Sequence, residues 1–251
     1  MEINNLKQRW LEVEEKAKII GWDFSYIDNK SSSEELPWNY ISVVKEYLND
    51  SLYILDYDTG GGEVLLSLNH PYNKTCATEG YKPNVLLCEK KLKPLGINFK
   101  ECNDPKDIPF EDESFDIILN RHGSYNVNEI YRLLKKGGYF ISQQVGEEND
   151  REFVRMVLPE VKKQFQGFNL SNEIELFKNK GFEIIKGLEA YPKMKFYDIE
   201  AFIWFAKIIE WEFVDFSVDK CFDKLLKVYN KINCEKEIVS KTHRFLIVAK
   251  K

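Results

Sequence analysis

Short apolar runs alternate with helix-like segments along the middle of the chain. Runs of strand length lie at 52–55, 74–79, 97–102, 115–122 and 139–145, and two more follow at 181–188 and 244–250. The intervening segments repeat their apolar residues at helical spacing. Strands that alternate with helices in this way are typical of an α/β protein built on a mostly parallel sheet. The pattern therefore predicts a seven-stranded sheet flanked by helices.

The clearest local signal is a glycine turn after the first apolar run. The segment reads Leu52-Tyr-Ile-Leu-Asp-Tyr-Asp-Thr-Gly-Gly-Gly-Glu63, and a helix-like stretch follows it. Such a turn lets backbone N–H groups approach a ligand with no Cβ in the way. In open α/β sheets it lies at the carboxyl ends of the strands, where nucleotide-like ligands bind. A tight strand-to-helix connection without a ligand is the alternative interpretation.

Two acidic residues after the glycine turn are further candidates for ligand binding. Glu79 ends the second strand about 20 residues after the turn, the spacing at which a carboxylate binds ribose hydroxyls. Asp104 precedes Ile108-Pro-Phe110, and Ser114-Phe-Asp116 then leads into the fourth strand. Each acid also has an ordinary interpretation: Glu79 as a solvated charge at a strand end, and Asp104 as a cap of its own loop.

The motifs, taken in order, resemble the class I S-adenosylmethionine-dependent methyltransferases, specifically those with a type 11-like methyltransferase domain. The resemblance covers residues 52–146 and includes a Leu-Leu-Lys-x-Gly-Gly stretch at 133–138, before the fifth strand. One position departs from the family. The family turn reads acid-x-Gly-x-Gly-x-Gly, and Asp58 stands where its first glycine would be.

The resemblance implies a Rossmann-like, doubly wound sheet whose last strand, 244–250, is inserted antiparallel. It also implies S-adenosylmethionine as the cofactor. The glycine turn would surround the methionine part, Glu79 would bind the ribose, Asp104 would meet the adenine amine, and Asn120 would line the floor. The complete set of cofactor-binding residues carried over is Asp56, Thr59, Gly60, Gly61, Gly62, Glu79, Asp104 and Asn120. No catalytic residue is identified, because this cofactor carries its own leaving group.

Residues that would face the methyl acceptor are less clearly marked. His122 and Tyr125 follow the fourth strand, where family members place substrate-facing groups. His122 could accept a proton from the acceptor, or it could be a structural histidine bonded to a nearby loop. Trp204 or Trp211 could form a wall of the acceptor pocket. Both belong to the aromatic-rich stretch 191–216, about two thirds of whose aromatic residues we expect to be core.

We expect the whole chain, 1–251, to form one domain of this family. Residues 1–50 form its N-terminal helical segment in this interpretation. Between the sixth and seventh strands lies the segment 191–233, which is far longer than a direct connection requires. We expect this insertion to be a helical cover over the site.

Composition limits the class of protein and its partners. Of 251 residues, 43% are hydrophobic and 31% are charged, as in a globular protein. The net charge of −5 and the lack of a basic stretch weigh against nucleic acid as a partner. No apolar run has the length of a membrane span, and no secretory signal or metal-ligand spacing is evident. Five cysteines without a CxxC pair fit reduced thiols, so we expect a cytoplasmic protein. The oligomeric state is not indicated.

These observations favour an S-adenosylmethionine-dependent methyltransferase that acts on an oxygen or nitrogen of a small molecule. An RNA methyltransferase stays open. So does a non-catalytic ligand-binding or regulatory protein, because the Asp58 carboxylate would crowd the methionine part and repel its carboxylate. It could equally attract the sulfonium and ammonium charges. A nicotinamide-dependent oxidoreductase is disfavoured, since the turn lacks the G-x-G-x-x-G spacing.

Overall fold

The chain forms two compact units that are interleaved in the sequence. A computed structural model describes residues 3–18 and 23–251. One unit, here called the helical unit, comprises Met1–Leu36, Glu147–Gln166 and Tyr191–His243. The other, here called the sheet unit, comprises Pro37–Gly146, Gly167–Ala190 and Arg244–Lys251.

The sheet unit is built on a seven-stranded sheet. Its strands are β2 (Ile54–Asp56), β3 (Thr75–Glu79), β4 (Asn98–Glu101), β5 (Phe115–Arg121), β6 (Leu134–Val145), β7 (Glu183–Ala190) and β10 (Arg244–Lys250). They lie side by side in the order β4-β3-β2-β5-β6-β10-β7. Strands β2 to β6 pair in parallel, whereas β10 pairs antiparallel with both β6 and β7. The predicted fold class and the inserted antiparallel last strand are confirmed.

Helices of the sheet unit pack on both faces of this sheet. They are α2 (Tyr40–Tyr47), α3 (Glu63–Ser67), α4 (Lys82–Lys91), α5 (Val127–Leu133) and α7 (Leu170–Lys180). Successive residues of a strand point to opposite faces, so each strand needs apolar residues at consecutive positions. In β10, Leu246 joins a core with α2 and α4, and the next residue, Ile247, joins a second core with α5 and α7. Burial on both faces explains why β10 is a continuous apolar run from Phe245 to Ala249.

The segment 147–165 differs from its prediction. The pattern indicates one long helix, but only α6 (Arg151–Val157) is helical there. Pro159 is the physical reason, because a residue that precedes proline is disfavoured in the α region. Leu158 accordingly leaves the helix at φ −138° and ψ 63°.

The helical unit combines a helical core with a small antiparallel sheet. Its helices are α1 (Ile3–Lys16), α6, α8 (Ile199–Ile208) and α9 (Val218–Glu235), and its strands are β1 (Ser31–Ser33), β8 (Lys193–Phe196) and β9 (Ile238–Lys241). The strands lie in the order β1-β8-β9. A helical insertion at 191–233 was expected, and α8 and α9 lie in this part of the chain, but β1, β8 and β9 were not expected. The sequence pattern predicts a first helix over 4–20; α1 ends at Lys16, and positions 19 and 20 lie outside the described residues.

Aromatic residues between 191 and 216 mostly form the core of the helical unit. Buried members are Phe196, Phe202, Trp204, Phe205, Phe213 and Phe216, and exposed ones are Tyr191, Tyr197 and Trp211. Six of nine are therefore core, as expected. Their packing partners include α1, α6 and α9, whose apolar residues belong to the same cluster. In the part of the chain that the structure describes, no helix is both long enough and apolar enough to cross a bilayer.

Replacing Leu246 by alanine tests the role of the inserted strand. Leu246 is fully buried in β10, so Leu246→Ala should lower the free energy of unfolding by about 2–5 kcal/mol. Urea denaturation followed by circular dichroism measures the change. Leu176 of α7 is 44% exposed and provides the control, because Leu176→Ala should change stability by no more than about 0.5 kcal/mol. Equal losses in both variants would contradict the packing of β10.

Candidate functional site at the glycine turn

The turn between β2 and α3 has a backbone that glycine favours. Gly60 and Gly62 both have positive φ, at 64° and 78°. Gly62 is also the N-cap of α3, and a side chain there would come within 2.9 Å of Leu92 Cδ2. The backbone at Gly62 thus requires glycine both for its φ and for the close approach of α4.

One carboxylate holds this turn in place. Glu79 ends β3 and is only 3% exposed. Its Oε2 accepts a hydrogen bond from the Gly60 N–H at 2.7 Å, and its Oε1 accepts from the N–H groups of Gly80 and Tyr81 at 2.9 and 2.8 Å. Each carboxylate oxygen has two lone pairs, so Oε2 can still accept a bond from a ligand hydroxyl. Glu79 is therefore an anchor of the turn, not a solvated charge at a strand end.

Asp56 lies beneath the turn. It is 5% exposed, and its Oδ2 accepts a hydrogen bond from Thr59 Oγ1 at 2.5 Å. Burial raises the pKa of Asp56 to about 7, with a smaller contribution from the charge of Glu79, while the bond from Thr59 acts in the opposite direction. Near pH 7 the Asp56 carboxyl is therefore partly protonated.

Asp58 follows the same strand and has a left-handed backbone, with φ 61°. The Glu79 carboxylate and the Ser124 backbone lie close enough to the Asp58 carboxyl to affect its pKa. Burial, followed by the charge of Glu79, raises the pKa of Asp58 to about 7. A Cβ at Gly123 would overlap the Asp58 carboxylate. The residue that replaces the family glycine at 58 is thus accommodated by a glycine at 123.

Asn120 supports the turn from within the protein. It is fully buried at the end of β5, and its Nδ2 donates to the Tyr57 carbonyl at 2.9 Å. Its Oδ1 accepts from Gln144 Nε2 at 2.5 Å. Both ends of the amide are therefore bonded to protein, which fixes the end of β2 against the end of β5. Contact between Asn120 and a cofactor stays a prediction.

Asp104 lies in the loop after β4 and is exposed. Its Oδ1 accepts from the Lys106 N–H at 2.8 Å, which is the loop-capping role that aspartate often has. Its charge, together with that of Asp58, contributes to raising the pKa of Tyr57, for which burial is the largest cause. Contact between Asp104 and the adenine amine stays a prediction.

His122 and Tyr125 follow β5 but have different surroundings. His122 has φ 64°, and its Nε2 lies 3.1 Å from Gln143 Nε2. Desolvation by nearby protein, and then the charges of Arg244 and Arg121, lower the pKa of His122 well below its usual value, although much of the ring stays accessible to solvent. Because the Gln143 amide nitrogen can only donate, His122 Nε2 accepts this bond and the proton of the neutral ring lies on Nδ1.

Tyr125 is bonded into the sheet unit. Its hydroxyl donates to Glu173 Oε2 at 2.6 Å, and its ring packs edge-on against Phe140 and Phe177. Desolvation and the charge of Glu173 raise the pKa of Tyr125 well above its usual value, so the hydroxyl stays protonated. This arrangement is that of a core tyrosine.

The two tryptophans proposed as a pocket wall belong to the helical unit. Trp204 is 4% exposed and stacks on Tyr26, with ring centroids 5.1 Å apart. Trp211 is 37% exposed. Trp204 is therefore mainly a core residue, and Trp211 offers an accessible ring.

Sequence reasoning did not identify the polar residues at the end of β6. Gln143 is buried and accepts a bond from Trp38 Nε1 at 2.9 Å, and Gln144 bonds both Asn120 and the Gly123 carbonyl. The signal was present, since a run of polar residues interrupts the apolar strand at 142–144.

Among the residues that the structure describes, no group of three His, Cys, Asp or Glu side chains is arranged to hold a metal ion.

Comparison with known proteins identifies the same stretch of chain. Residues 55–142 match the family described as "Methyltransferase domain". The phthiotriol/phenolphthiotriol dimycocerosates methyltransferase of Mycobacterium tuberculosis is 33% identical over 88 residues, which cover 32% of this chain and 32% of that protein. The fatty-acid O-methyltransferase of Mycolicibacterium smegmatis is 25% identical over 112 residues, or 42% and 37% of the two chains. This chain thus spans about a third of the length of the curated relatives it matches.

The fold likeness extends further than the sequence likeness. The YcgJ protein of Bacillus subtilis superposes with a TM-score of 0.57 at 15% identity, covering 84% of this chain and 97% of that one. At this identity the likeness concerns the fold alone.

The pair Asp58 and Glu79 predicts how stability depends on pH. Because the folded protein holds the pKa of Asp58 near 7, it binds protons more tightly than the unfolded chain does. The resulting stability is complete below the unfolded pKa of about 4 and is lost as pH rises through about 7. Asp58→Asn removes the repulsion, so at pH 8 the variant should melt about 2–4 °C above the wild type, for a gain of about 1 kcal/mol.

Thermal melting at pH 5 and pH 8, without ligand, measures this difference. At pH 5 the carboxyl is protonated, and the variant and the wild type should melt together. Asp215 is an exposed aspartate that also has a positive φ, of 59°, so Asp215→Asn is a matched control that should show no such dependence. A variant Asp58→Asn that is no more stable than the wild type at pH 8 would show that the two carboxyls do not repel each other.

Proposed function

We propose that this protein, whose residues 55–142 match a methyltransferase domain, is a class I methyltransferase that transfers a methyl group from S-adenosylmethionine to a small molecule. The observation that carries the proposal is the glycine turn anchored by Glu79 at the carboxyl ends of β2 and β3. In an open α/β sheet this position is where a nucleotide-like ligand binds.

The residues at the turn fit this cofactor chemically. Asp56, Asp58 and Glu79 bring three carboxyl groups together, and the charge of Glu79 bears on both aspartates. S-adenosylmethionine carries a sulfonium and an ammonium beside one carboxylate, so its net positive charge suits such a site. The pyrophosphate of a nicotinamide dinucleotide would be repelled by the same groups, which argues against an oxidoreductase.

Particular residues would hold each part of the cofactor. Glu79 would accept a hydrogen bond from a ribose hydroxyl through its one remaining lone pair, on Oε2, and Asp104 would accept one from the adenine amine. Gly60, Gly61 and Gly62, with Asp56 and Thr59, would surround the methionine part. When bound, the cofactor supplies an activated methyl group and its own leaving group. The protein then needs to position the acceptor, exclude water and take up the proton that the acceptor loses.

The acceptor we propose is a small molecule methylated at oxygen or nitrogen. Two relatives are named for lipid-like substrates, and one of those names specifies an O-methyltransferase. The net charge of −5 again disfavours RNA. His122 is the group we propose to accept the proton, because its exposed side chain follows β5, whose carboxyl end lies beside that of β2. Tyr125 supports the site indirectly through its bond to Glu173.

A second candidate function is a non-catalytic protein that binds a related ligand. Asp58 favours it, since the carboxyl lies close to Glu79 and to the Ser124 backbone and therefore beside the groups that would bind the ribose and the methionine part. Both candidates require that the protein binds a ligand of this kind. Calorimetric titration with S-adenosylmethionine tests this requirement. A protein that binds S-adenosylmethionine but transfers no methyl group to any acceptor would support the second candidate.

Substitution of Glu79 tests the cofactor site. Glu79→Ala should weaken binding of S-adenosylmethionine by about 1–3 kcal/mol, because a buried ribose hydroxyl would lose its acceptor. Calorimetric titration measures the affinity, and thermal melting shows whether the turn stays folded. Glu101 pairs in register with Glu79 on the neighbouring strand but is exposed, so Glu101→Ala is the matched control. Unchanged affinity in a folded Glu79→Ala protein would mean that Glu79 only anchors the turn.

A panel of acceptors tests the substrate class. Transfer of labelled methyl from the cofactor should occur to a small molecule with a hydroxyl, carboxyl or amine, and fatty acids and hydroxylated lipids should be included. His122→Ala should lower the rate about 10²–10⁴-fold if the ring accepts the proton. Transfer to tRNA or ribosomal RNA alone would refute the acceptor class and leave the methyltransferase proposal standing.

A further inference from the structure

His122 is joined to the neighbouring strand by two hydrogen bonds. Its backbone N–H donates to the Gln143 carbonyl at 2.8 Å, and its ring Nε2 lies 3.1 Å from the Gln143 amide nitrogen. Gln143 belongs to β6 and is only 3% exposed, and His122 directly follows β5. The parallel pairing of β5 with β6 therefore brings the two residues together.

The other end of the Gln143 amide is bonded to Trp38. The indole Nε1 of Trp38 donates to Gln143 Oε1 at 2.9 Å. Because an indole nitrogen can only donate, the amide must present its oxygen to Trp38 and its nitrogen to His122. Trp38 is itself held in place, since it packs against the core that contains α2 and α4. Tyr40, two residues later, donates to the Ile141 carbonyl of β6 at 3.1 Å.

The orientation of the amide decides which nitrogen of the His122 ring holds the proton. The Gln143 N–H group needs an acceptor, so Nε2 of the ring carries a lone pair and the proton of the neutral ring lies on Nδ1. A second proton can only go to Nε2, where it would face the N–H of Gln143. Turning the amide around would remove this conflict, but it would then set the amide N–H groups against the indole N–H of Trp38.

We propose that Trp38 is a positioning residue, which acts through the Gln143 amide to fix the tautomer of His122 and to keep its ring neutral. The bonds that carry this effect join three segments of the sheet unit: the residues before α2, strand β6, and the residue after β5.

The charged groups that bear on the His122 ring act in the same direction. They are Arg121, the last residue of β5, and Arg244, the first residue of β10, and each opposes a further positive charge on the ring. On α2, burial raises the pKa of Tyr40 well above its usual value, so this hydroxyl is neutral at pH 7. On β6, Gln143 is uncharged.

The consequence for methyl transfer rests on the proposed function, in which His122 takes the proton that the acceptor loses. In that step the O–H or N–H bond of the acceptor breaks, its electron pair stays on the acceptor, and the proton bonds to the lone pair of His122 Nε2. The hydrogen bond from Gln143 is given up. Only the neutral ring can take part, so Trp38 extends activity to lower pH. A weaker base also releases its proton to solvent more readily after each turnover.

Proton–nitrogen correlation NMR of the nitrogen-labelled full chain measures both the tautomer and the titration of the ring. The chain has three histidines, and the signal that is missing in His122→Ala identifies the ring. In the wild type, the neutral His122 ring should hold its proton on Nδ1. Trp38→Phe keeps an aromatic ring but removes the N–H, so the amide can turn. The tautomer with the proton on Nε2 should then appear, and the titration midpoint should rise by about one pH unit.

Gln143→Glu tests the same contact without changing Trp38. One carboxylate oxygen can accept from Trp38 and the other from a protonated His122 Nε2, so the midpoint should rise by about 1–3 pH units. Gln164 is exposed, and Gln164→Glu is the matched control that should leave the His122 ring as it is in the wild type. Thermal melting shows whether each variant is folded.

The outcomes separate this inference from the proposed function. A wild-type His122 ring with its proton on Nε2 would overturn the inference, and so would a Trp38→Phe protein with the tautomer and midpoint of the wild type. The acid limb of the pH profile of methyl transfer should move upward with the NMR midpoint. If the midpoint moves and the profile does not, the role of Trp38 stands and His122 is not the proton acceptor. If no acceptor is methylated, the proposed function fails, and NMR still decides the inference.

Discussion

The hydrogen bonds of a single carboxylate determine the shape of the candidate site. Glu79 accepts from three backbone N–H groups, one of which belongs to a turn 19 residues away in the chain. Hydrogen bonds from N–H groups to an ionised carboxylate are stronger than those between neutral groups. They hold the glycine turn against the end of β3, although several residues of the turn have a positive φ. Asn120 and Asp104, by contrast, are held by hydrogen bonds of their own.

Asp58 shows how a departure from a family pattern is accommodated. The glycine expected at 58 is absent, and the carboxyl that replaces it extends across the end of β2 toward Gly123. The backbone at 58 still has the positive φ that a glycine would adopt. The turn therefore keeps its conformation, and what changes is the chemistry beside Glu79. A neutral position has become an acid whose proton is held by burial and by a neighbouring carboxylate.

Several residues that the sequence suggested as ligand-binding residues make their contacts with other residues of the protein. Asn120 bonds Tyr57 and Gln144, Tyr125 bonds Glu173, and Trp204 stacks on Tyr26. Their positions after strands, or within an aromatic-rich stretch, gave no indication of these partners, because the partners lie far away in the sequence. A polar or aromatic residue near a site either contacts a ligand or supports the residues that do, and only its tertiary contacts distinguish the two.

The sequence by itself determined the order of the strands in the sheet unit and the position of the glycine turn. Strands buried on both faces require continuous apolar runs, and a turn with positive φ requires glycine, so both leave a local signal. The tertiary structure alone decided the rest. It brought Asp58 close to Glu79, and it joined 1–36, 147–166 and 191–243 into one unit with its own core. Neither was readable from the sequence, because both arise from contacts between segments distant in the chain, and such contacts leave no periodic pattern in any one of them.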